Sequence, residues 1–222
     1  MTVRLAPAPV RLFRIGRGPN PLAFPPGAFR GAGRYDDPDG RVATLYAAVE
    51  RRAAFLETLD VFRLDVAAVA ERDRSLGSSG SPTTKPERQT IPPRFMQRLL
   101  VCFRVAEGQR WLDVRVPETH AVLREELRPQ LGELGLGTRF VLGDLLANDH
   151  RITRLVAGWA IDHAFDGIAY RSCHNPSLTC WAIFAGATLA LKDAPRPINP
   201  DDPDLHAVAR LWNLQLPPRI ES

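Results

Sequence analysis

Short apolar runs rich in β-branched and aromatic residues alternate along this chain with segments whose apolar positions recur every three or four residues. Val10 to Ile15 and Val42-Ala43-Thr44-Leu45-Tyr46 have the content of buried strands, so Tyr46 is expected to end the second. Between them, Pro and Gly punctuate residues 16 to 40 too densely for long regular elements. From Ala48 to Leu59, Val49, Ala53, Phe55, Leu56 and Leu59 predict a helix that turns Glu50, Arg51 and Arg52 outward and carries Glu57 late in its length.

Strand-like runs resume at Leu99 to Val105 and Trp111 to Val116. A helix from near Pro117 would carry Val122, Leu123, Leu127 and Leu131, and another places Ile152, Leu155, Val156, Trp159, Ala160 and His163 on its apolar side. Asp166-Gly167 then turns the chain into a strand, Ile168 to Arg171, aimed at Ser172. Trp181 to Ala185 and Ala187 to Leu191 predict a hairpin or adjacent strands around Gly186, and Leu205 to Trp212 a short helix. The loop-like composition around Leu76 to Pro86 predicts an insertion over about residues 73–93. There is no internal repeat and no regular βαβ alternation. The fold class expected is therefore α+β, a single mixed domain over residues 10–192 with a Pro- and Asp-rich tail at 193–222.

Composition narrows the function classes. With 222 residues, 45% of them hydrophobic, the chain can bury one sizeable core. No apolar run reaches the ~18 residues of a membrane span and the first residues lack a signal core, so a soluble, cytoplasmic protein without membrane contact is expected. The net charge is +4, but 27 of the 29 basic residues are Arg, scattered among 25 acids, which speaks against direct nucleic-acid binding. Cys102, Cys173 and Cys180 are too few and too irregular for a disulfide framework and fit a reducing compartment.

Generic catalytic motifs are missing. Lys85 and Lys192 follow no phosphate-cradling loop, Gly16-Arg17-Gly18 is followed by prolines rather than a helix, and no Ser sits in a G-x-S-x-G elbow. Cys173-His174 with Cys180 is the one group of metal-ligand types, but it lacks a C-x-x-C spacing and a nearby fourth ligand, so no metal is expected. His163 reads as a core histidine, and His120, His150 and His206 as surface or cap positions.

What remains is a set of separated residues: Arg14 in the first strand, Arg34 in Gly31-Ala32-Gly33-Arg34-Tyr35-Asp36, Tyr46, Glu57 eleven residues after it, and Ser172 at a strand end. Singly, each has a plainer reading. Arg34 could pair with Asp36 or Asp37, Tyr46 could be a core aromatic, Glu57 a surface acid near Arg52 or Arg63, and Ser172 a turn cap. Glu57 resists the plain reading because it lies beside Phe55, Leu56 and Leu59, where burial demands a partner or a function.

In order and spacing the set resembles the RES family, named for its Arg, Glu and Ser, whose members include NAD-destroying toxins of bacterial toxin–antitoxin pairs. The likeness runs over roughly residues 10 to 190. It departs from the family pattern at Tyr35-Asp36, where Trp-Asn is usual, in an Arg34 to Tyr46 interval about two residues longer than typical, and at Cys173, where Arg is common.

The resemblance implies a fold like that of the ADP-ribosyltransferases, with a cleft between two sheet portions, and cleavage of the nicotinamide–ribose bond of NAD by phosphate or water. ADP-ribose transfer to a protein, or an inactive NAD-binding homologue, are the alternatives. NAD is then the substrate and no prosthetic group is needed. Arg14 and Arg34 would hold the pyrophosphate, since a planar guanidinium matches phosphate oxygens. Tyr46 would stack on nicotinamide, Glu57 would stabilise an oxocarbenium-like transition state or orient the nucleophile, and Ser172 would bond the nicotinamide amide or a ribose. A separate Xre-type helix-turn-helix antitoxin is the implied partner, and a homodimer is compatible with the resemblance.

Overall fold

The computed structural model describes residues 2–27, 30–63, 89–136 and 139–218. Most of the insertion expected at 73–93 lies outside the described residues. The strands are β1 (Leu12–Gly16), β2 (Thr44–Ala48), β3 (Leu99–Val105), β4 (Trp111–Asp113), β5 (Gly167–Arg171), β6 (Thr179–Phe184), β7 (Leu189–Leu191) and β8 (Arg196–Pro197). The helices are α1 (Arg51–Leu59), α2 (Pro117–Glu126), α3 (Arg128–Glu133), α4 (Leu142–Leu146), α5 (Arg151–Asp162) and α6 (Pro203–Leu211), with short 3-10 turns at Asp60–Phe62 and Pro93–Phe95. One sheet runs β4-β5-β6-β2-β1-β3-β7, with β8 also on β3, and every pairing is antiparallel except β4 with β5. This is the α+β architecture expected.

Both sheet faces are covered. Along β6, Cys180, Ala182 and Phe184 enter the larger core with Phe55, Leu56 and Leu59 of α1, while Trp181 and Ile183 enter a second cluster with Leu12, Leu45, Phe103 and Trp111. The period of two assigns alternate residues to opposite faces, so a strand buried on both sides reads as a continuous apolar run. Trp111 and Trp181 pack edge to face at 5.2 Å in the second cluster. Tyr46 shares the α1 side of β2 with Ala48. Residues beyond 193 join the larger core as well, since Leu205, Val208 and Ala209 of α6 are buried there.

The sheet has a weak seam. Five registered pairs join β1 to β3 and five join β2 to β6, but β1 and β2 meet only at Phe13 and Ala48. Beyond that pair the carbonyl of Tyr46 accepts a hydrogen bond from the Arg14 side chain (2.8 Å) where a regular ladder would supply a backbone N–H. A charged side chain thus replaces backbone pairing, and the cleft opens at this place.

Several local expectations need correction. Tyr46 lies in the middle of β2 rather than at its end, because pairing with β6 carries the strand on through Ala47 and Ala48. The helix expected from Pro117 through Leu131 divides at Leu127, since Pro129 has no N–H for the carbonyl one turn back. The two stretches around Gly186 are neither a hairpin nor neighbours: β6 lies between β5 and β2, while β7 pairs with β3. His120 is buried, with Nε2 2.7 Å from the Val114 carbonyl, because the first turn of α2 folds over the end of β4. His163 is exposed just past α5 and stacks on Trp159 at 4.0 Å, since the helix stops one residue before it. Among the described residues, no helix is long and apolar enough to cross a membrane.

Candidate active site

At the seam lies an open cavity of about 500 Å³ whose walls include Arg14, Arg34, Tyr46, Glu57, Arg98 and Tyr170. That is within the range of small-ligand sites. Four of the five residues singled out in the sequence line it. The fifth, Ser172, lies immediately behind it.

Glu57 reaches the cavity because α1 buries Ala53, Phe55, Leu56 and Leu59 on its inner side, leaving position 57 half-buried at the border between core and cleft. Ser172, 0% exposed at the end of β5, donates its hydroxyl to Glu57 Oε1 at 2.6 Å. The Ser172 oxygen in turn accepts the backbone N–H of His174 at 3.2 Å, so both capacities of this hydroxyl are engaged within the protein. Cys180 adds a thiol 3.6 Å from the same carboxylate oxygen. Burial, and next the nearby Glu57 carboxylate, push the Cys180 thiol well up, so it stays protonated and able to donate.

The Gly-rich loop supplies the opposite wall. Arg34 Nη1 donates to the carbonyls of Leu145 (3.1 Å) and Ala147 (2.7 Å) at the C-terminal end of α4. Arg154 of α5 holds the loop in return, donating to the carbonyls of Gly33 (3.1 Å) and Ala32 (2.9 Å). Gly33 allows the close packing that follows: a Cβ there would collide with the Tyr46 hydroxyl and with Asp36 Oδ1. The Tyr46 hydroxyl donates to Asp36 at 2.6 Å and accepts the Tyr35 N–H at 2.9 Å, while Asp36 also takes the Gly33 N–H at 2.8 Å. Burial, with the Asp36 charge second, pushes the Tyr46 phenol well up, so the ring presents a neutral face to the cavity. Asp36 uses both carboxylate oxygens, Oδ1 for Tyr46 and Oδ2 for Gly33, and Arg34 bonds the carbonyls at the end of α4 rather than Asp36 or the Asp37–Arg41 pair.

Arg14 donates Nε to the Pro21 carbonyl (3.0 Å) and Nη1 to that of Tyr46. Its guanidinium is brought down to about 10, first by burial and then by repulsion from Arg98. Arg98 is lowered by burial and by Arg17 and Arg94. This rim therefore carries desolvated positive charge, that of Arg14 bonded to two carbonyls and that of Arg98 lying over the Phe95 ring, a setting that favours an anion.

Sequence reasoning missed Arg98, which reaches the cavity only because β1 and β3 pair with Gly16 opposite Leu99. It also missed Tyr170, and it read Cys173 and His174 only as a poor metal-ligand group, whereas they form part of the cavity wall. His150, read as a surface or cap residue, is indeed the N-cap of α5, yet it lines the cavity too. Burial, followed by Arg34 and Arg154, lowers its pKa.

The RES domain family model matches residues 11–208. The chain belongs to the RES family. Among solved structures it is similar to a chain in the M. tuberculosis MbcT–MbcA toxin–antitoxin complex, at 14% sequence identity and a TM-score of 0.54, covering 94% of this chain and 90% of that one. At that identity the likeness is one of fold. No curated protein matches the sequence. The RES match extends beyond residue 192 into α6, in keeping with the burial of Leu205 and Val208 in the common core.

Proposed function

We propose that this RES protein degrades NAD by breaking the bond between nicotinamide and ribose. The observation that carries the reading is the convergence, on one cavity of about 500 Å³, of a carboxylate held by a buried serine, two guanidiniums and a tyrosine face. The pyrophosphate would lie against Arg14 and Arg34, with Arg98 adding charge at the rim. Tyr46, its hydroxyl already engaged, offers the nicotinamide a ring face. As the C–N bond lengthens, positive charge develops on the ribose, and Glu57 is the group placed to stabilise it. Nicotinamide leaves with the bonding electron pair, and water or phosphate adds to the same carbon; with water, a proton is released. Ser172 acts through Glu57 as a positioning residue, because its hydroxyl is committed to the carboxylate.

Family membership and the fold shared with a chain of a toxin–antitoxin complex support a toxin role, with a separate antitoxin chain as partner. The test is chemical. Purified protein incubated with NAD should release nicotinamide together with ADP-ribose, or with ADP-ribose 1″-phosphate when phosphate is supplied. Label from NAD that becomes bound to lysate proteins would instead indicate transfer, and no nicotinamide release under any of these conditions would overturn the proposal.

A further inference from the structure

Beside the carboxylate, the turn after β5 brings together a second set of groups that NAD cleavage does not use. Cys173 Sγ and His174 Nε2 lie 3.7 Å apart, and with a Glu57 oxygen these ligand atoms all fall within 4.8 Å of one another. A zinc ion about 2.3 Å from a thiolate and about 2.0–2.1 Å from imidazole and carboxylate, at tetrahedral angles, needs ligand edges of roughly 3.3–3.6 Å. The observed edge is therefore close to that of a tetrahedral site with its fourth position open to the cavity. The ligands are braced from behind. Ser172 and Cys180 hold Glu57, while His174 packs edge to face on Trp212 at 5.3 Å. Arg34 reaches the Cys173 thiol, and against this cation stand Glu57 and Asp60, the latter 3.7 Å from His174 Nε2, with a metal-bound Cys173 as a third negative group.

We propose that Glu57, Cys173 and His174 form an inhibitory site for a thiophilic divalent cation of the zinc class. On binding, a metal–sulfur bond forms, the Cys173 thiol proton passes to the buffer, and Glu57 is withdrawn from its place under the ribose. The site differs from the group apparent in sequence, because Glu57 replaces Cys180, whose thiol is buried and turned to the carboxylate. The inhibition rests on the proposed function; the metal site does not.

Cobalt(II) reports on it without NAD. The full-length protein titrated with cobalt(II) should show a thiolate-to-cobalt charge-transfer band and the intense visible bands of tetrahedral cobalt, and zinc should displace them. The band should persist in Cys102→Ser, vanish in Cys173→Ser and weaken in His174→Ala, with circular dichroism confirming that each variant is folded. Zinc affinity should fall at least about 100-fold in Cys173→Ser, the upper end of the loss when an outer partner of a metal ligand is removed. Should Cys173→Ser not fold, the wild-type protein still decides: zinc should slow iodoacetamide alkylation of Cys173 at least tenfold, read by mass spectrometry, and leave Cys102 unaffected. No charge-transfer band in the wild type, a band that survives Cys173→Ser, or unprotected Cys173 overturns the site. In the wild type, zinc should stop nicotinamide release at concentrations matching its cobalt-displacement affinity, reversibly on chelation. Protein that gives the cobalt band but never releases nicotinamide refutes the NAD reading and leaves the metal site standing; protein that cleaves NAD without the band refutes only the site.

Discussion

The hydroxyl of Ser172 and the Oε1 atom of Glu57 are 2.6 Å apart, joined across 115 positions of sequence by a bond inside the protein wall rather than in the cavity. A short O–H···O⁻ bond of this kind is among the stronger neutral-to-charged contacts and fixes the carboxylate rotamer. Ser172→Ala should therefore act on kcat more than on KM. Nicotinamide release should drop roughly ten- to a hundredfold, the range expected when a reacting group is displaced by up to an ångström. A change confined to KM would place the serine in substrate binding instead.

Arg34 has one nitrogen committed to two carbonyls at the end of α4, which sets the plane of the guanidinium. Lysine is a point charge without that fork. Arg34→Lys should raise KM for NAD about tenfold while leaving circular dichroism unchanged. An unaltered KM would mean that the pyrophosphate lies elsewhere.

The rim formed by Arg14 and Arg98 holds desolvated positive charge, with Arg14 bonded to two carbonyls, so a polyanion that fills it should stabilise the fold. At ~100 times its dissociation constant, ADP-ribose should add about 2.7 kcal/mol. For a chain of this size that corresponds to a rise in Tm of roughly 5–10 °C, measured by calorimetry. Adenosine, which lacks the phosphates, should give a much smaller rise.

Asp37 is fully buried beneath the Gly-rich loop. Burial pushes its carboxyl up, but bonds from Arg41 and from the Val42 and Asp39 N–H groups outweigh this and hold it below the ordinary carboxylate value. A depressed folded pKa contributes stability that is complete above the unfolded value of ~3.9 and lost as the pH falls through the folded one. Because the Arg41 side chain is 45% exposed, solvent screens part of the attraction. Asp37→Asn should lower Tm by roughly 3–6 °C at pH 7. The gap from wild type should narrow in melts recorded below about pH 4. A constant gap from pH 7 to pH 2 would remove Asp37 from the acid response.

The sequence places Glu57 and Ser172 well because each sits on an element whose own periodicity survives in the fold. Glu57 lies on the border of the apolar stripe of α1, and Ser172 immediately follows β5. The seam between β1 and β2 is not visible in that way, since a strand pinned only at Phe13 and Ala48 has the same residue pattern as one paired along its length. Arg98 is hidden for a related reason: its approach to Arg14 depends on the register of β3 against β1, a long-range choice with no local mark. His120 and His163 exchange the environments that their spacing predicts, because what covers a helix end is settled by tertiary packing. Tyr46 belongs to the same class. Its strand continues through two alanines of low strand propensity because β6 is already beside it.

The proposed activity depends on the carboxylate of Glu57 doing chemistry in this cleft. Glu57→Gln keeps the shape of the side chain and an oxygen that can accept from Ser172, and exchanges the negative charge and the second oxygen for a neutral amide N–H donor. Nicotinamide release from NAD by that variant should fall by ~100-fold or more, the scale of losing a preorganised electrostatic group, while NAD binding measured by calorimetry stays within about threefold of wild type. Turnover within twofold of wild type in a folded, NAD-binding Glu57→Gln protein would contradict it.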